Sequence, residues 1–249
     1  PLPEHPEIER ALRIENAAYA AAVLRGWACS ASPSAHARLA VADWLQKRGQ
    51  PAAAQRILRP AQDALLGPAL TAERARAWRV AYSRAFETEL RAAAEAEALD
   101  PFLLMALARE ESRFDPAVRS WAAATGLTQL MPATAEAAHL AVFRRPLERA
   151  VALEDPRLNA RLGAFVLAEG LEAQGSVPLA LSHYNAGPGL TARFVRAGAG
   201  PFDAFVERIS VAQTRGYVKR VTESWLRYRL LYAPTEPMPQ LPATVGRSD

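Results

Sequence analysis

Two adjacent carboxylates carry the first chemical signal in this chain. Arg109-Glu110-Glu111-Ser112 closes the apolar run Phe102-Leu103-Leu104-Met105-Ala106-Leu107. At about 100° per residue, Glu111 falls roughly 30° from the centre of the stripe set by Leu103, Leu104 and Leu107, and Glu110 roughly 65° away. Glu111 is therefore the carboxylate drawn toward apolar surroundings. Desolvation there raises its pKa and lets it stay protonated near neutral pH, which a general acid requires. Taken alone, this helix has a plainer reading: a solvated carboxylate pair on a C-terminal turn.

Other chemistries have no footing. The chain has no Gly-rich phosphate loop, no His-Glu-x-x-His and no Gly-x-Ser-x-Gly. Its four histidines, His5, His36, His139 and His183, lack ligand spacing, and the single Cys29 excludes a multi-cysteine zinc site. No metal and no cofactor is expected. Asp115 is the nearest second carboxylate, but an Asp before Pro116 reads better as a helix terminator.

Further polar blocks follow in order. Ser120 comes after Glu111-Ser112-x-Phe114-x-Pro116. Next are Gly126-Leu127-Thr128-Gln129-Leu130-Met131-Pro132, Tyr184-Asn185-Ala186-Gly187-Pro188-Gly189, and Gln213-Thr214-Arg215-Gly216-Tyr217-Val218. Together, from about Tyr82 to Tyr232, these blocks resemble the catalytic domain of soluble lytic transglycosylases, the lysozyme-like family that cleaves bacterial peptidoglycan. The resemblance implies a catalytic acid at Glu111. It implies non-hydrolytic cleavage of the β-1,4 bond between N-acetylmuramic acid and N-acetylglucosamine, with closure of a 1,6-anhydro ring. It further implies saccharide contacts from Ser120, Gln129, Met131, Tyr184, Asn185 and Tyr217, with the Tyr184 phenol on the Glu111 carboxyl and supporting roles for Ser112 and Gln213. The implied partner is a glycan strand, and the implied location is a bacterial periplasm or cell envelope.

Two positions depart from the family pattern. Gln213 stands where the family usually has Glu, keeping shape but losing charge. Thr128 stands where Met is usual, and is expected to alter one wall of the groove. Two alternatives remain beside the lyase: a muramidase hydrolysing the same bond, and a catalytically weak peptidoglycan-binding or scaffold protein. An ordinary glycosidase would want a carboxylate pair, which no matching block supplies.

These residues need a scaffold, and its class is legible. The 249 residues are 50% hydrophobic and 22% charged, which excludes a disordered chain. Strand signals are nearly absent, and Ala/Leu/Arg/Glu stretches are punctuated by Pro and Gly, so the chain reads as all-α. Helices are predicted over 7–26, 34–48, 50–58, 71–99, 133–140, 158–174, 177–184, 191–197 and 213–231. Another begins at Asp100-Pro101, as N-cap and first residue, and runs to about Arg113. The expected organisation is a solenoid-like helical region over 1–80, a lysozyme-like catalytic domain over 81–233 and a Pro-rich, disordered tail over 234–249. The N-terminal helices offer a surface for cell-wall partners. Net charge is +4, but the arginines are dispersed among acids, so no nucleic-acid face is expected. No apolar run reaches membrane-spanning length. Beginning at Pro1 rather than Met, the chain reads as a processed or truncated product from which a signal peptide could have been removed.

Overall fold

The structure is a computed structural model describing residues 2–197 and 200–245. Nearly all its regular structure is helical, and the chain divides into two compact units. The first comprises Pro1–Ala85 with Arg113–Asp115, the second Phe86–Ser112 with Pro116–Asp249.

The first unit contains α1 (Pro6–Leu12), α2 (Ala17–Ser30), α3 (Ala35–Lys47), α4 (Pro51–Leu58), α5 (Gln62–Leu66) and α6 (Ala75–Ala81). Composition predicts a single helix over 7–26. The chain divides it because the Asn16 side chain accepts from the Tyr19 amide at 3.0 Å and starts a new helix. Asn competes for backbone donors in this way, which makes it a cap rather than a helix-interior residue. Helices α3 and α4 reverse on Gly49, whose φ of 70° is left-handed, and bury Val41, Leu45, Ala54 and Ile57. Gln55 is buried among them and donates to the Val80 carbonyl at 2.8 Å. Asp115, the sequence's nearest second carboxylate, forms an ion pair with Arg56.

The second unit contains α7 (Glu87–Glu95), α8 (Pro101–Ser112), α9 (Pro132–Phe143), α10 (Pro156–Gln174), α11 (Val177–Ala197), α12 (Phe202–Arg208) and α13 (Ala212–Tyr232). The predicted helix over 71–99 is thus two helices in different units, and Phe86 adopts a left-handed φ of 53° before α7. Local composition favours helix throughout, but propensity is a weak term that tertiary packing overrides.

Helix α8 forms as expected: the Asp100 carboxylate accepts from the Phe102 amide at 2.8 Å, with Pro101 in the first turn. Every residue from Phe102 to Arg109 is buried, the mark of a helix enclosed on all sides. Its start is fixed from α13. Trp225 Nε1 donates to Asp100 Oδ2 at 2.8 Å, and the Phe102 ring stacks near Tyr228 and Tyr232, with centroids 6.4 and 6.2 Å away. These contacts set the register that delivers Glu110 and Glu111 at the other end. Helix α10 packs against α7, α9 and α11. Helix α11 is kinked at Gly187, where φ is 80° and Pro188 follows, at the turn read from the sequence.

Composition predicts disorder from Pro234 onward. Through Val245 the chain is instead anchored. Arg229 Nη2 donates to the Pro237 carbonyl at 2.8 Å, and β2 (Thr244–Val245) pairs antiparallel with β1 (Gly200–Pro201). The Val245 side chain is buried, which supplies the apolar contact that a Pro-rich composition conceals. Residues 246–249 of the expected tail lie outside the described residues.

Candidate active site

Helix α8 brings both carboxylates into the body of the second unit, but into opposite electrostatic settings. Glu110 forms an ion pair with Arg109, accepts from Ser224 Oγ at 2.7 Å, and lies 3.7 Å from Arg220 Nε. Arg109 Nη1 also donates to Ser224 Oγ at 3.2 Å, closing the network. Among the described residues Glu111 has no such set of hydrogen-bonded and ion-paired partners. Burial drives its pKa from the ordinary 4.5 to about 7, and the negative charge of neighbouring Glu110 adds to the rise. The Tyr217 phenol and the Arg220 guanidinium oppose it. Burial beside a like charge is how a carboxyl is kept as a proton donor near neutral pH.

Two tyrosines flank Glu111, Tyr217 buried and Tyr184 half-buried. Burial and the Glu111 charge raise the pKa of both Tyr184 and Tyr217, so both phenols stay protonated. The expectation placed the Tyr184 hydroxyl on the carboxyl. The structure gives it to the Thr128 carbonyl instead, at 2.8 Å. Thr128 is wholly buried, and its carbonyl needs a donor that only this phenol provides among the described bonds. Tyr217, from α13, is the phenol that interacts with the carboxyl and favours its ionised form. Its buried hydroxyl sits in that contact without a partner at full hydrogen-bond geometry.

The loop from Pro116 to Met131 carries Ser120, Gln129 and Met131. Arg119, Thr125 and Leu130 pair through two antiparallel bridges, so the chain reverses twice within twelve residues. Ser120 Oγ accepts from the Ala124 amide at 3.0 Å and ties the first reversal. Gln129, at a left-handed φ of 51°, ties the second: its Nε2 donates to the carbonyls of Val118 and Gly126, each at 3.0 Å. With both amide protons engaged, only its side-chain oxygen is left to meet a ligand, as an acceptor. Met131 is 44% exposed at the start of α9. Asn185 Oδ1 accepts from Thr214 Oγ1 at 2.9 Å, joining α11 to α13.

Three expectations need revision. Ser112 turns its hydroxyl back to the Ala108 carbonyl at 3.0 Å, as serines in a last helical turn do, so that oxygen serves its own helix. Gln213 is exposed on the first turn of α13. Thr128 forms no groove wall: its side chain is buried, its Oγ1 donates to Asn159 Oδ1 at 2.8 Å, and it lies where a Cβ on Gly163 would come within 2.4 Å of that oxygen. The smaller side chain therefore accommodates a close approach to α10.

Sequence reasoning missed the two networks that hold this arrangement. One is Arg109–Glu110–Ser224 with Arg220. Its trace was the α13 stripe Tyr217, Arg220 and Ser224, spaced to share a face. The other is Asn159, fully buried on α10. Its Oδ1 accepts from the Thr128 amide at 2.8 Å, and its Nδ2 donates to the carbonyls of Thr125 and Leu153 at 2.9 and 3.0 Å. Its trace was a lone amide in phase with Leu162 and Gly163.

At the end of α8, then, a carboxyl with a raised pKa, Glu111, stands beside the ion-paired Glu110 and near two tyrosines. Residues 89–200 match the family described as the Transglycosylase SLT domain, and that stretch of the chain is a member of it. Over 137 residues the chain is 38% identical to the soluble lytic murein transglycosylase of Escherichia coli K12, a match covering 53% of this chain and 21% of that protein. The X-ray structure of an inactive Glu-to-Gln mutant of lytic transglycosylase Slt from Pseudomonas aeruginosa superposes with a TM-score of 0.79 at 26% identity, over 96% of this chain and 37% of that one. The 70 kDa soluble lytic transglycosylase of Escherichia coli shares the fold, with a TM-score of 0.73 at 21% identity over 92% of this chain and 37% of that one. The chain thus spans about a fifth of the curated relative's length. No described helix is long and apolar enough to cross a membrane.

Proposed function

We propose that this chain is a peptidoglycan lytic transglycosylase with Glu111 as its only acid–base group. The observation that carries the reading is the contrast at the end of α8: Glu110 is ion-paired with Arg109 and lies near Arg220, while Glu111 is desolvated with a pKa of about 7. Near neutral pH a large fraction of Glu111 is protonated, and the lost proton is one it readily takes back. In the first half-reaction it protonates the glycosidic oxygen as the muramoyl C1–O bond breaks. The N-acetyl group of the substrate shields the oxocarbenium-like centre. In the second half the Glu111 carboxylate takes the proton of the muramoyl C6 hydroxyl, whose oxygen bonds to C1. The products are an anhydro-sugar end and a free N-acetylglucosamine end. Glu111 returns to its starting state, and no water enters.

Each neighbour has a task in this cycle. The Tyr217 phenol supports the carboxylate that exists between the two halves. Tyr184 holds the Gln129 loop by its bond to Thr128, which makes it a positioning residue. The Gln129 side-chain oxygen accepts from a sugar hydroxyl or acetamido N–H, Ser120 and Asn185 shape the turns around the strand, and Met131 offers an adaptable apolar wall. Gln213 and Ser112 act on neither proton. The N-terminal helices read as the end of a helical solenoid, in a protein that works in the bacterial cell envelope.

The test is digestion of purified peptidoglycan sacculi by the wild type and by Glu111→Gln, with mass spectrometry of the released fragments. Products lighter by one water than hydrolytic ones, absent with the variant, are expected. Reducing-end products, or equal release by the variant, overturn the proposal.

A further inference from the structure

One side chain in the second unit is placed at odds with its chemistry. Trp121 is fully exposed, at 101% of its reference surface. Trp27, Trp78 and Trp225 are all at most 5% exposed, and Trp44 is half-buried under the Arg48 guanidinium. Tryptophan carries a large apolar area and is highly buried on average.

The backbone beneath it is firmly built. Trp121 tips the reversal between Ser120 and Ala124. That reversal is closed by the Ser120 amide donating to the Ala124 carbonyl at 2.9 Å, the Ala123 amide donating to the Ser120 carbonyl at 3.0 Å, and the Ala124 amide donating to the Ser120 hydroxyl at 3.0 Å. Ala123 adopts a left-handed φ of 66° to complete it. The indole is therefore carried out into solvent on a fixed support.

The direction follows from the topology. Arg119 runs into this reversal, Thr125 runs out of it, and Leu130 runs parallel to Arg119 after the Gly126–Gln129 turn. Residues following Leu130 therefore emerge at the end of the ribbon where Trp121 sits. The first is Met131, also exposed. Two large apolar side chains thus stand at one end of the ribbon whose other turn is held by Gln129.

We propose that Trp121 is a stacking platform for a pyranose ring of the glycan, a substrate-positioning residue beyond the reacting bond. This rests on the functional reading above. A hexopyranose presents a face of C–H groups that matches the indole in area and polarity, while its hydroxyls remain in water. The fixed turn means little conformational freedom is lost on binding, which favours affinity. Trp121 touches neither proton of the reaction, so its effect falls on binding rather than on the chemical step.

The test uses peptide-free glycan strands of alternating N-acetylglucosamine and N-acetylmuramic acid. Their Kd is measured calorimetrically with Glu111→Gln protein, with and without Trp121→Ala. KM and kcat are measured with the active enzyme carrying Trp121→Ala or Trp121→Phe. Trp121→Ala is expected to raise Kd and KM roughly tenfold, leave kcat within about twofold, and leave Tm unchanged because the side chain is exposed. Trp121→Phe is expected to recover most of the loss. Unchanged Kd and KM in Trp121→Ala overturn the platform and leave the functional reading standing. Failure of the strands to bind or turn over with Trp121 intact overturns the functional reading, and the platform with it.

Discussion

Replacing Glu111 by Gln should make the protein more stable, and only above acid pH. Burial, with the Glu110 charge beside it, raises the Glu111 pKa from 4.5 to about 7. Below pH 4.5 the group is protonated in folded and unfolded chains alike, and it favours neither. As pH rises from 4.5 to 7 the unfolded chain releases this proton while the folded chain retains it. Folding then loses about 1.4 kcal/mol per pH unit from this group. Above pH 7 both states are ionised and the loss levels off. The shift corresponds to about 3 kcal/mol, and water reaching the half-buried carboxyl trims it to about 2–3 kcal/mol. Glutamine has nearly the same shape and no charge to desolvate. The variant should therefore match wild type near pH 4.5 and exceed it at pH 8, by roughly 5–10 °C in the melting of the second unit. Scanning calorimetry of both proteins between pH 4.5 and 8 reads the difference directly. A stability gap independent of pH, or a wild type more stable than the variant at pH 8, would refute the assignment of Glu111 as a desolvated acid.

Other consequences can be measured independently. The alkaline limb of kcat/KM should fall tenfold per pH unit above about 7, as Glu111 loses its proton; a flat profile to pH 9 contradicts this. Tyr217→Phe removes a phenol that favours the carboxylate, so that limb should move to higher pH while the fold is retained; a shift downward reverses the sign of the argument. Asn159→Leu strands the Thr128 amide and the carbonyls of Thr125 and Leu153 in the interior, and should cost about 3–5 kcal/mol in urea unfolding. Gly163→Ala forces a methyl to within 2.4 Å of Thr128 Oγ1, and should cost about 1–3 kcal/mol and weaken activity through the loop; wild-type stability would mean that the loop and α10 separate easily.

Local signals carried some of these features into the sequence and left others invisible. Helix α8 was legible because its cap, its first proline and its apolar run agree on one answer, and the phase of Glu111 followed from them. The kink at Gly187 was equally plain, because a glycine before proline is a strong local instruction. The break between α6 and α7 was hidden, because Ala-rich sequence favours helix on both sides and the boundary is set by packing. The division of labour between Tyr184 and Tyr217 was hidden for a different reason. Either phenol has the chemistry to reach a carboxyl, and the choice depends on the Thr128 carbonyl, whose position comes from Asn159 on α10. Contacts between residues 31 and 56 positions apart leave no periodic trace. Trp121 is the converse case: its residue type predicts burial, and only the three-dimensional turn reveals its exposure.

The central claim is that Glu111 moves one proton out and back without admitting water. Digestion of peptidoglycan in heavy-oxygen water tests this most directly. Released muramoyl ends should carry none of the heavy isotope and should lack one water relative to hydrolytic fragments. Heavy oxygen at C1 of those ends would mean that water is the nucleophile, and that a hydrolase works at this site.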